Sequence, residues 1–497
     1  MENMLRKHLY SILMDNREFM VVFLVFALCA VERFCRLLSS PDIFGDEVMY
    51  VDVSLHLIME GGLQFNGHSW FVHPPLFFMI SGTVLRLLGI NEVSLTAILV
   101  NRYISATFSM LTLFVIFIWI KSELGFVSSV TTIMITGLEP YTLKYFRIGI
   151  LESMVNFFLV LFVFALRMAE KKAKPRYLPF AGLCLGLALV TKELSVYMFI
   201  VTILYLALTK LTLHRAIRTV EIATMFIVSL IPYSLYAVFG LISDSAGFIE
   251  TKTYLLKRIV GLVTDTGYNS AGYPSIMSDL EETYNIYFMT ITLLILSVLI
   301  VLYILARPHD DFSILLASWF IGSALFFGAI RIINPNFFVY IILPAMTMSC
   351  LLGSVMSFSR SRTMTVRVRY IVTIFLSIVI LYNFAVSTSL FVRDSDDAFL
   401  QSVHWINESI PAGSRIMAVY QYSYFARGDT VISYGLDIAT AAAEHVQYVI
   451  TSPRWNYLFE QRLLDYTARN GTLIETFDGR SLRQISVFHV SGWGEDL

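Results

Sequence analysis

Long apolar runs separated by short polar connections make up most of this chain. Eleven of these runs predict membrane-spanning helices, because they approach the roughly 20 residues that are needed to cross a bilayer. They lie at about 18–38, 96–120, 126–143, 153–168, 178–191, 195–209, 219–241, 286–305, 312–330, 337–357 and 370–391. The pattern predicts a polytopic α-helical membrane protein with about eleven transmembrane helices.

The connection between the first two spans, from about Ser39 to Ser94, is predicted on the outer side and is named the first outer connection. It carries two shorter helical patterns. In segment 45–62 apolar residues recur at helical spacing, and Gly61 and Gly62 follow the last turn. Segment 73–89 begins with two prolines, which suit the first turn of a helix. Because this second segment is short and interrupted by Arg86, we expect an interfacial helix on the outer membrane surface. A true span is the alternative, and it would invert every later connection.

The chain becomes more polar near residue 393. The runs SRIMAVY, DTVISYG, QYVITSP and ISVFHV resemble strands and alternate with helical stretches. This alternation predicts a small C-terminal α/β domain over 393–497, after a transmembrane domain over 1–392. Two N-x-S/T sequons begin at Asn407 and Asn470, which is compatible with an extracytoplasmic tail.

Composition and charge agree with a membrane protein and set its orientation. Apolar residues make up 57% of the chain and charged residues 15%, against about 25% charged residues in soluble domains. The most basic short connections fall on the side of the N-terminus, which predicts that this side is cytoplasmic. They are 167–176, 209–218 and 359–369. We find no basic patch interleaved with aromatics that would indicate nucleic acid, and we expect the four cysteines to be apolar fillers.

Two adjacent carboxylates, Asp46 and Glu47, lie at the start of the first outer helix. Neighbouring side chains on a helix point about 100° apart, so the two cannot aim at one small target. We expect one carboxylate to reach a substrate and the other to hold local structure. Ordinary capping of the helix start is the alternative interpretation of the pair.

Further charged residues recur at the predicted outer ends of the spans. Charges within or beside spans tend to mark functional sites, although snorkelling to the interface can explain any single one. Cations in such a place suit a phosphate, and a carboxylate suits proton removal from a hydroxyl. The set comprises Arg102, Arg147, Glu152, Lys192, Glu193 and Arg331.

Six motifs follow one another in a recognisable order: FGDEVMY, FVHPPLF, NRYISATFSML, KYFRIGILES, GLCLGLALVTKE and NPNFFVYIILP. In this order they resemble the polyprenyl-phosphate-sugar-dependent membrane glycosyltransferases, which have the GT-C fold. The nearest members are the protein O-mannosyltransferases and the bacterial aminoarabinose transferases. The resemblance runs from about residue 20 to 360. It implies transfer of a sugar from a dolichyl or undecaprenyl phosphate donor to an extracytoplasmic acceptor.

The resemblance also implies roles for individual residues. Asp46 takes the position of the general base, with Glu47 beside it, and Glu152 takes a second acidic catalytic position where the family more often has Asp. Before the Leu-Pro of the last motif the family often has an Arg-Tyr pair, and here Phe337 and Phe338 stand nearby instead. Donor or phosphate binding is implied for His73, Arg102, Arg147, Lys192 and, as a guess from an offset position, Arg331. For His73, a local capping role is the alternative.

Several alternatives stay open at the level of sequence. A divalent cation bound through Glu47, His73 and Glu152 is possible, but no tight metal-ligand spacing supports it. The acceptor can be a protein, a lipid or a glycan. A transporter or lipid flippase competes with the enzyme, although neither inverted repeats nor matched helix breaks are visible. A binding or assembly protein whose tail docks a partner is the third hypothesis.

Overall fold

The computed structural model describes residues 16–171, 176–213, 219–263, 276–307, 310–330, 335–356, 366–428, 430–433 and 435–493. The helices up to the last long apolar one are, in chain order, α1 Asn16–Phe34, α2 Gly45–Glu60, α3 Leu76–Leu87, α4 Leu95–Leu124, α5 Phe126–Gly137, α6 Pro140–Arg147, α7 Glu152–Lys171, α8 Tyr177–Leu189, α9 Tyr197–Leu213, α10 Thr219–Ile259, α11 Ile276–Ala306, α12 Asp311–Ala329, α13 Val339–Met356 and α14 Val366–Ser387.

Each of the eleven predicted spans coincides with a helix. Within the described ranges, eight helical segments are long and apolar enough to cross a membrane, so the structure supports a smaller number of candidate spans. The helices that fall short are α1, which carries charged residues near both ends, and α5 and α8, which have only 12 and 13 residues. The eight are Leu95–Leu124, Glu152–Lys171, Glu193–Leu213, Val220–Ile259, Tyr287–Ala306, Asp311–Ala329, Pro335–Met356 and Val366–Ser409.

The two helices predicted in the first outer connection are present as α2 and α3. The first ends at Gly61, whose φ of 78° lies in the left-handed region that favours glycine. The second is 12 residues long, shorter than a span. It crosses α2 so closely that a Cβ at Gly82 would collide with the carbonyl oxygen of Ser54. This close crossing fixes the position of the helix that carries Asp46.

Helix α10 is interrupted at Asp244, which leaves the helical region with φ −160° and ψ 90°. The Asp244 carboxylate accepts a hydrogen bond of 2.9 Å from the N–H of Gly247, so its side chain caps the second half of the helix. In that second half, Lys252 donates a hydrogen bond of 2.7 Å to the carbonyl of Phe71. The break therefore brings the second half against the first outer connection.

The C-terminal part forms a small mixed sheet with short helices. Its strand order is β4-β3-β5-β7-β6, with parallel pairs β3–β4 and β3–β5 and antiparallel pairs β5–β7 and β6–β7. All four strand-like runs predicted from the sequence contain a strand, and β6 was not predicted. The strands are β3 Arg415–Met417, β4 Val431–Ser433, β5 Tyr448–Thr451, β6 Thr472–Asp478 and β7 Gln484–His489. The helices of this part are α15 Ala398–Ser409, α16 Ile438–Ala443 and α17 Gln461–Asn470. A separate hairpin in the first outer connection consists of β1 Gln64–Phe65 and β2 His68–Ser69.

This C-terminal part shares a hydrophobic core with the first outer connection. Val48 and Val51 of α2 belong to the same buried cluster as Phe399 and Tyr422. The carboxylate of Asp42 also accepts a hydrogen bond of 2.9 Å from the N–H of Phe399. The start of α2 is therefore enclosed by the long apolar helices on one side and by the C-terminal mixed sheet on the other. The predicted boundary at residue 393 stays a prediction.

Candidate active site

A cavity of about 750 Å³ lies between the start of α2, the second half of α10 and the C-terminal part. Its size falls within the range of about 300–1,000 Å³ that is usual for ligand sites. Of the charged residues singled out in the sequence, Asp46, His73, Lys192 and Glu193 line it. Further polar residues in its wall include Asp42, Lys144, Tyr233, Lys252, Arg258, Asn336, Asp396, Tyr420, Arg454 and Arg480.

The adjacent carboxylates of α2 have different surroundings. Glu47 is fully buried and accepts hydrogen bonds from the N–H of Phe44 at 2.9 Å and from the N–H of Gly149 at 2.6 Å. Asp46 is half-buried and faces the cavity, and within the described part of the chain its carboxylate accepts no hydrogen bond. Asp46 is therefore the carboxylate of the pair that is open to a ligand.

Arg102, buried in α4, holds Glu47 and the segment that precedes α2. Its Nε and Nη2 donate to the two Glu47 oxygens at 2.7 and 2.6 Å, which is a bidentate ion pair. It also donates to the carbonyl of Pro41 at 2.7 Å, to that of Asp42 at 3.0 Å and to that of Leu37. These contacts use the guanidinium completely, and Arg102 does not line the cavity.

Arg147, at the end of α6, has a similar place. It donates to the carbonyl of Ser40 at 2.7 and 3.1 Å, to that of Cys35 at 2.6 Å and to that of Glu32. Like Arg102, it binds backbone oxygens of the segment that leads into α2 and does not line the cavity. The two arginines together hold residues 32–42 in place. They therefore determine the position of the helix start that carries Asp46.

Lys192 and Glu152 form a second buried ion pair, with Nζ and Oε1 2.5 Å apart. The same Oε1 accepts a hydrogen bond of 2.5 Å from the side-chain amide of Asn336. Lys192 also lies over the ring of Phe337, 5.0 Å from its centroid. Lys192 reaches the cavity wall, whereas Glu152 lies behind it. Glu152 therefore orients the lysine.

The pKa of Asp46 is raised to about 6, first by burial and then by the negative charges of Glu152 and Glu47. The positive charge of Lys192 acts in the opposite direction and lowers the pKa of Asp46. A carboxylate with this pKa is ionised at neutral pH and is a stronger base than an exposed aspartate. The Asp46 environment therefore suits proton removal from a weak acid.

His73 lies near a group of three cations. Burial holds the pKa of His73 well below its usual range, and the nearby charges of Lys192, Lys252 and Arg258 lower it further. The imidazole is therefore neutral at physiological pH. Its ring also packs edge-on against Tyr50 and Trp70. The positive potential around His73 would favour an anion in the adjoining part of the cavity.

The sequence-based reasoning missed Lys252 and Arg258. They lie between the predicted spans 219–241 and 286–305, in a stretch for which no helix was predicted. Lys252 forms an ion pair with Glu193, and the Arg258 Nε has no hydrogen-bond partner within the described ranges. The stretch TKTYLLKRI has a basic, helical pattern that could have indicated them. Arg331, which was predicted to bind phosphate, lies outside the described residues.

The possible metal ligands do not converge. Within the part of the chain that the structure describes, no group of three or more His, Cys, Asp and Glu side chains is arranged to hold a metal ion. Glu47 is paired with Arg102, and Glu152 is paired with Lys192. These two carboxylates therefore have cationic partners of their own in this arrangement.

The fold and the site define a polytopic membrane protein with a cavity lined by the Asp46 carboxylate and by lysine and arginine side chains. Residues 72–236, about one third of the chain, match the family model of dolichyl-phosphate-mannose-protein mannosyltransferases. Over this part of the chain, the match confirms the predicted resemblance to membrane glycosyltransferases that use a polyprenyl-phosphate sugar. No curated protein sequence matches the chain.

Solved structures have the same fold. The crystal structure of ArnT from Cupriavidus metallidurans, bound to undecaprenyl phosphate, is 12% identical with a TM-score of 0.59, covering 95% of this chain and 97% of that one. The archaeal oligosaccharyltransferase AglB from Archaeoglobus fulgidus, in complex with an inhibitory peptide and a dolichol-phosphate, is 10% identical with a TM-score of 0.57. The match covers 95% of this chain and 74% of the AglB chain. The fold is thus GT-C-like, as in ArnT.

Proposed function

We propose that the protein transfers one sugar from a polyprenyl-phosphate donor to the hydroxyl of an acceptor on the extracytoplasmic face, with Asp46 as general base. The observation that carries this proposal is the content of a single cavity. It holds a carboxylate with a raised pKa and, near His73, the cations Lys192, Lys252 and Arg258. The family match supports the choice of a lipid-phosphate sugar as donor.

The donor phosphate binds beside Lys192, Lys252 and Arg258, with His73 as a neutral hydrogen-bonding group. Cations at this position neutralise the charge that develops on the phosphate as it leaves. The second half of α10 also gives the cavity apolar residues, including Leu255, Leu256 and Ile259. These side chains suit the first isoprene units of a lipid carrier. A carrier of either the dolichyl or the undecaprenyl type would fit this chemistry.

The reaction is a single displacement. The Asp46 carboxylate removes the proton of the acceptor hydroxyl while the hydroxyl oxygen attacks the anomeric carbon of the sugar. The bond between that carbon and the phosphate oxygen breaks, and the polyprenyl phosphate leaves with the electron pair. The proton stays on Asp46 until solvent removes it. A displacement of this kind inverts the configuration at the anomeric carbon.

Glu47, Arg102 and Arg147 have a positioning role in this account. Their hydrogen bonds hold the start of α2 and the segment before it, as described above. Glu152 acts similarly on Lys192. A reacting group that is misplaced by about 1 Å can lose about a hundredfold in rate, so such positioning matters for transfer. Any role of these four residues in binding phosphate is indirect.

The acceptor enters from the side of the C-terminal domain. That domain contributes Tyr420, Trp455 and Tyr457 to the cavity wall, together with Arg454 and Arg480. Appended domains commonly carry specificity, which supports this assignment. The basic connections predicted on the opposite side support an extracytoplasmic position for the cavity. Protein, lipid and glycan acceptors all offer the hydroxyl that the reaction needs.

The test uses the purified protein in nanodiscs with dolichyl-phosphate mannose, labelled in the sugar, and a detergent extract of membranes as acceptor. We expect the label to move to the acceptor fraction, with one polyprenyl phosphate released for each sugar transferred. Undecaprenyl-phosphate aminoarabinose serves as the second donor. If the protein moves either donor across a vesicle membrane while the label stays on its carrier, the protein is a flippase and the proposal is wrong.

A further inference from the structure

Tyr420 reaches from the C-terminal domain to the first turn of α2. It begins the turn Tyr420–Tyr424 between strands β3 and β4. Its phenol donates a hydrogen bond of 2.7 Å to the carbonyl of Gly45, the residue directly before Asp46. Its ring packs edge-on against Phe65 of the hairpin in the first outer connection, with ring centroids 5.6 Å apart. The Tyr420 side chain therefore links three segments at the edge of the cavity.

The neighbouring Gln421 covers Gly45 from the same side. The side-chain amide of Gln421 lies so close to Gly45 that a Cβ at Gly45 would meet it. Both Tyr420 and Gln421 line the cavity. Burial, and then the charge of Asp46, hold the pKa of Tyr420 well above its usual range, so the phenol keeps the proton that it donates.

The first turn of α2 is thus held on two sides. Arg102 and the N–H of Gly149 hold Glu47 from the membrane helices. Tyr420 holds Gly45 from the C-terminal domain. Asp46 lies between these two residues, and its own carboxylate has no hydrogen bond within the described ranges. The direction of the Asp46 side chain therefore depends on how firmly its two neighbours are held.

We propose that Tyr420 is a positioning residue for Asp46, acting through the carbonyl of Gly45. The proposal rests on the function proposed above, in which Asp46 is the base. It makes the C-terminal domain a part of the catalytic unit, because the domain holds the helix start that carries the base. Loss of the phenol would let the first turn of α2 shift and would move the Asp46 carboxylate away from the acceptor hydroxyl.

The experiment compares Tyr420→Phe with Tyr466→Phe in the full-length protein. Tyr466 is the matched control, because its phenol also donates to a backbone carbonyl in the C-terminal domain, that of Gly492 at 2.9 Å, but does not line the cavity. We expect Tyr420→Phe to lower kcat for sugar transfer about tenfold, because a small misplacement of a base reduces the rate steeply. KM for dolichyl-phosphate mannose should not change, and Tyr466→Phe should match the wild type.

Binding of undecaprenyl phosphate, followed as a thermal shift, shows whether each variant keeps a folded cavity. Should Tyr420→Phe fail this check, Phe65→Leu provides the second perturbation, because it removes the ring that packs against Tyr420 while the phenol is retained. In that variant kcat should again fall with KM unchanged. Wild-type kcat in a folded variant overturns the role of Tyr420 alone, provided that Asp46→Asn is inactive. An active Asp46→Asn overturns the proposed function as well, so the two failures are distinguishable.

Discussion

The pH dependence of transfer follows from the position of Asp46. Because the base must be ionised, kcat/KM should rise with pH through the pKa of Asp46 in the free enzyme. With that pKa raised to about 6, the ionised fraction is about 0.1 at pH 5 and about 0.9 at pH 7. We therefore expect kcat/KM at pH 7 to be about ten times its value at pH 5, with a plateau above this range.

The rise of kcat/KM between pH 5 and 7 is the acid limb of the pH profile. Two charge variants should move this acid limb in opposite directions. Lys192→Met removes a cation that lowers the pKa of Asp46, so the limb should move to higher pH. Glu152→Gln removes a negative charge that raises the pKa of Asp46, so the limb should move to lower pH. Glu60→Gln, at the exposed end of the same helix and outside the cavity, serves as control.

The assay measures initial rates of sugar transfer from dolichyl-phosphate mannose at sub-saturating donor in a buffer series of constant ionic strength. A pH profile that is flat between pH 5 and 7 would contradict the assignment of the limb to Asp46. Shifts of the limb in the same direction for both variants would show that the charges of Lys192 and Glu152 do not act on Asp46 as the structure indicates.

Three further predictions concern stability and donor binding. Arg102→Leu should destabilise the protein by about 3–5 kcal/mol, because Glu47 is left buried without its cation. Thermal inactivation in detergent measures this loss of stability. The control is Arg86→Leu, at an exposed helix end. Arg258→Gln should weaken binding of undecaprenyl phosphate about tenfold, since a charge-assisted hydrogen bond contributes about 1.5–3 kcal/mol. The acid limb of the pH profile, which depends on Asp46, should not move. Equal binding by the variant and the wild type in a thermal-shift titration would exclude Arg258 from the phosphate site. Gly82→Val should lower both thermal stability and kcat, because its side chain would force α3 away from Ser54 and displace α2; unchanged values for both would show that this helix crossing does not hold the site.

Much of the fold follows from patterns that act over short distances in the chain. Apolar runs located a helix at each predicted span, and the alternation in the tail located four of the strands. The number of spans was less well predicted, because α5 and α8 are only 12 and 13 residues long. A run that packs against other helices is as apolar as one that crosses the membrane, so composition alone does not separate the two cases.

The part of the site that sequence reasoning located is the part that lies in local motifs. Asp46, His73 and Lys192 each belong to a short recognisable stretch, and all three line the cavity. Arg102 and Arg147 also stand out as charges near span ends, but most of their partners are backbone carbonyls of residues 60 or more positions away. No pattern in the sequence shows that a cation is used in this way.

Other contributions depend on contacts between distant segments. Lys252 and Arg258 reach the cavity because α10 breaks at Asp244. The residue at the break is neither proline nor glycine, so the sequence does not indicate it. Tyr420 forms a hydrogen bond with Gly45, although the two residues are 375 positions apart in the sequence. Such contacts arise from tertiary packing, and neither periodicity nor local propensity contains them.

The most direct test of the central claim is the rate of sugar transfer by Asp46→Asn. The substitution keeps the size of the side chain but removes the base, so we expect kcat to fall by at least a hundredfold, which is within the usual contribution of about 10²–10⁴ from general base catalysis. Binding of undecaprenyl phosphate should be retained, and Glu60→Gln, at the exposed end of the same helix, should transfer sugar like the wild type. Transfer by folded Asp46→Asn at the wild-type rate would contradict the account.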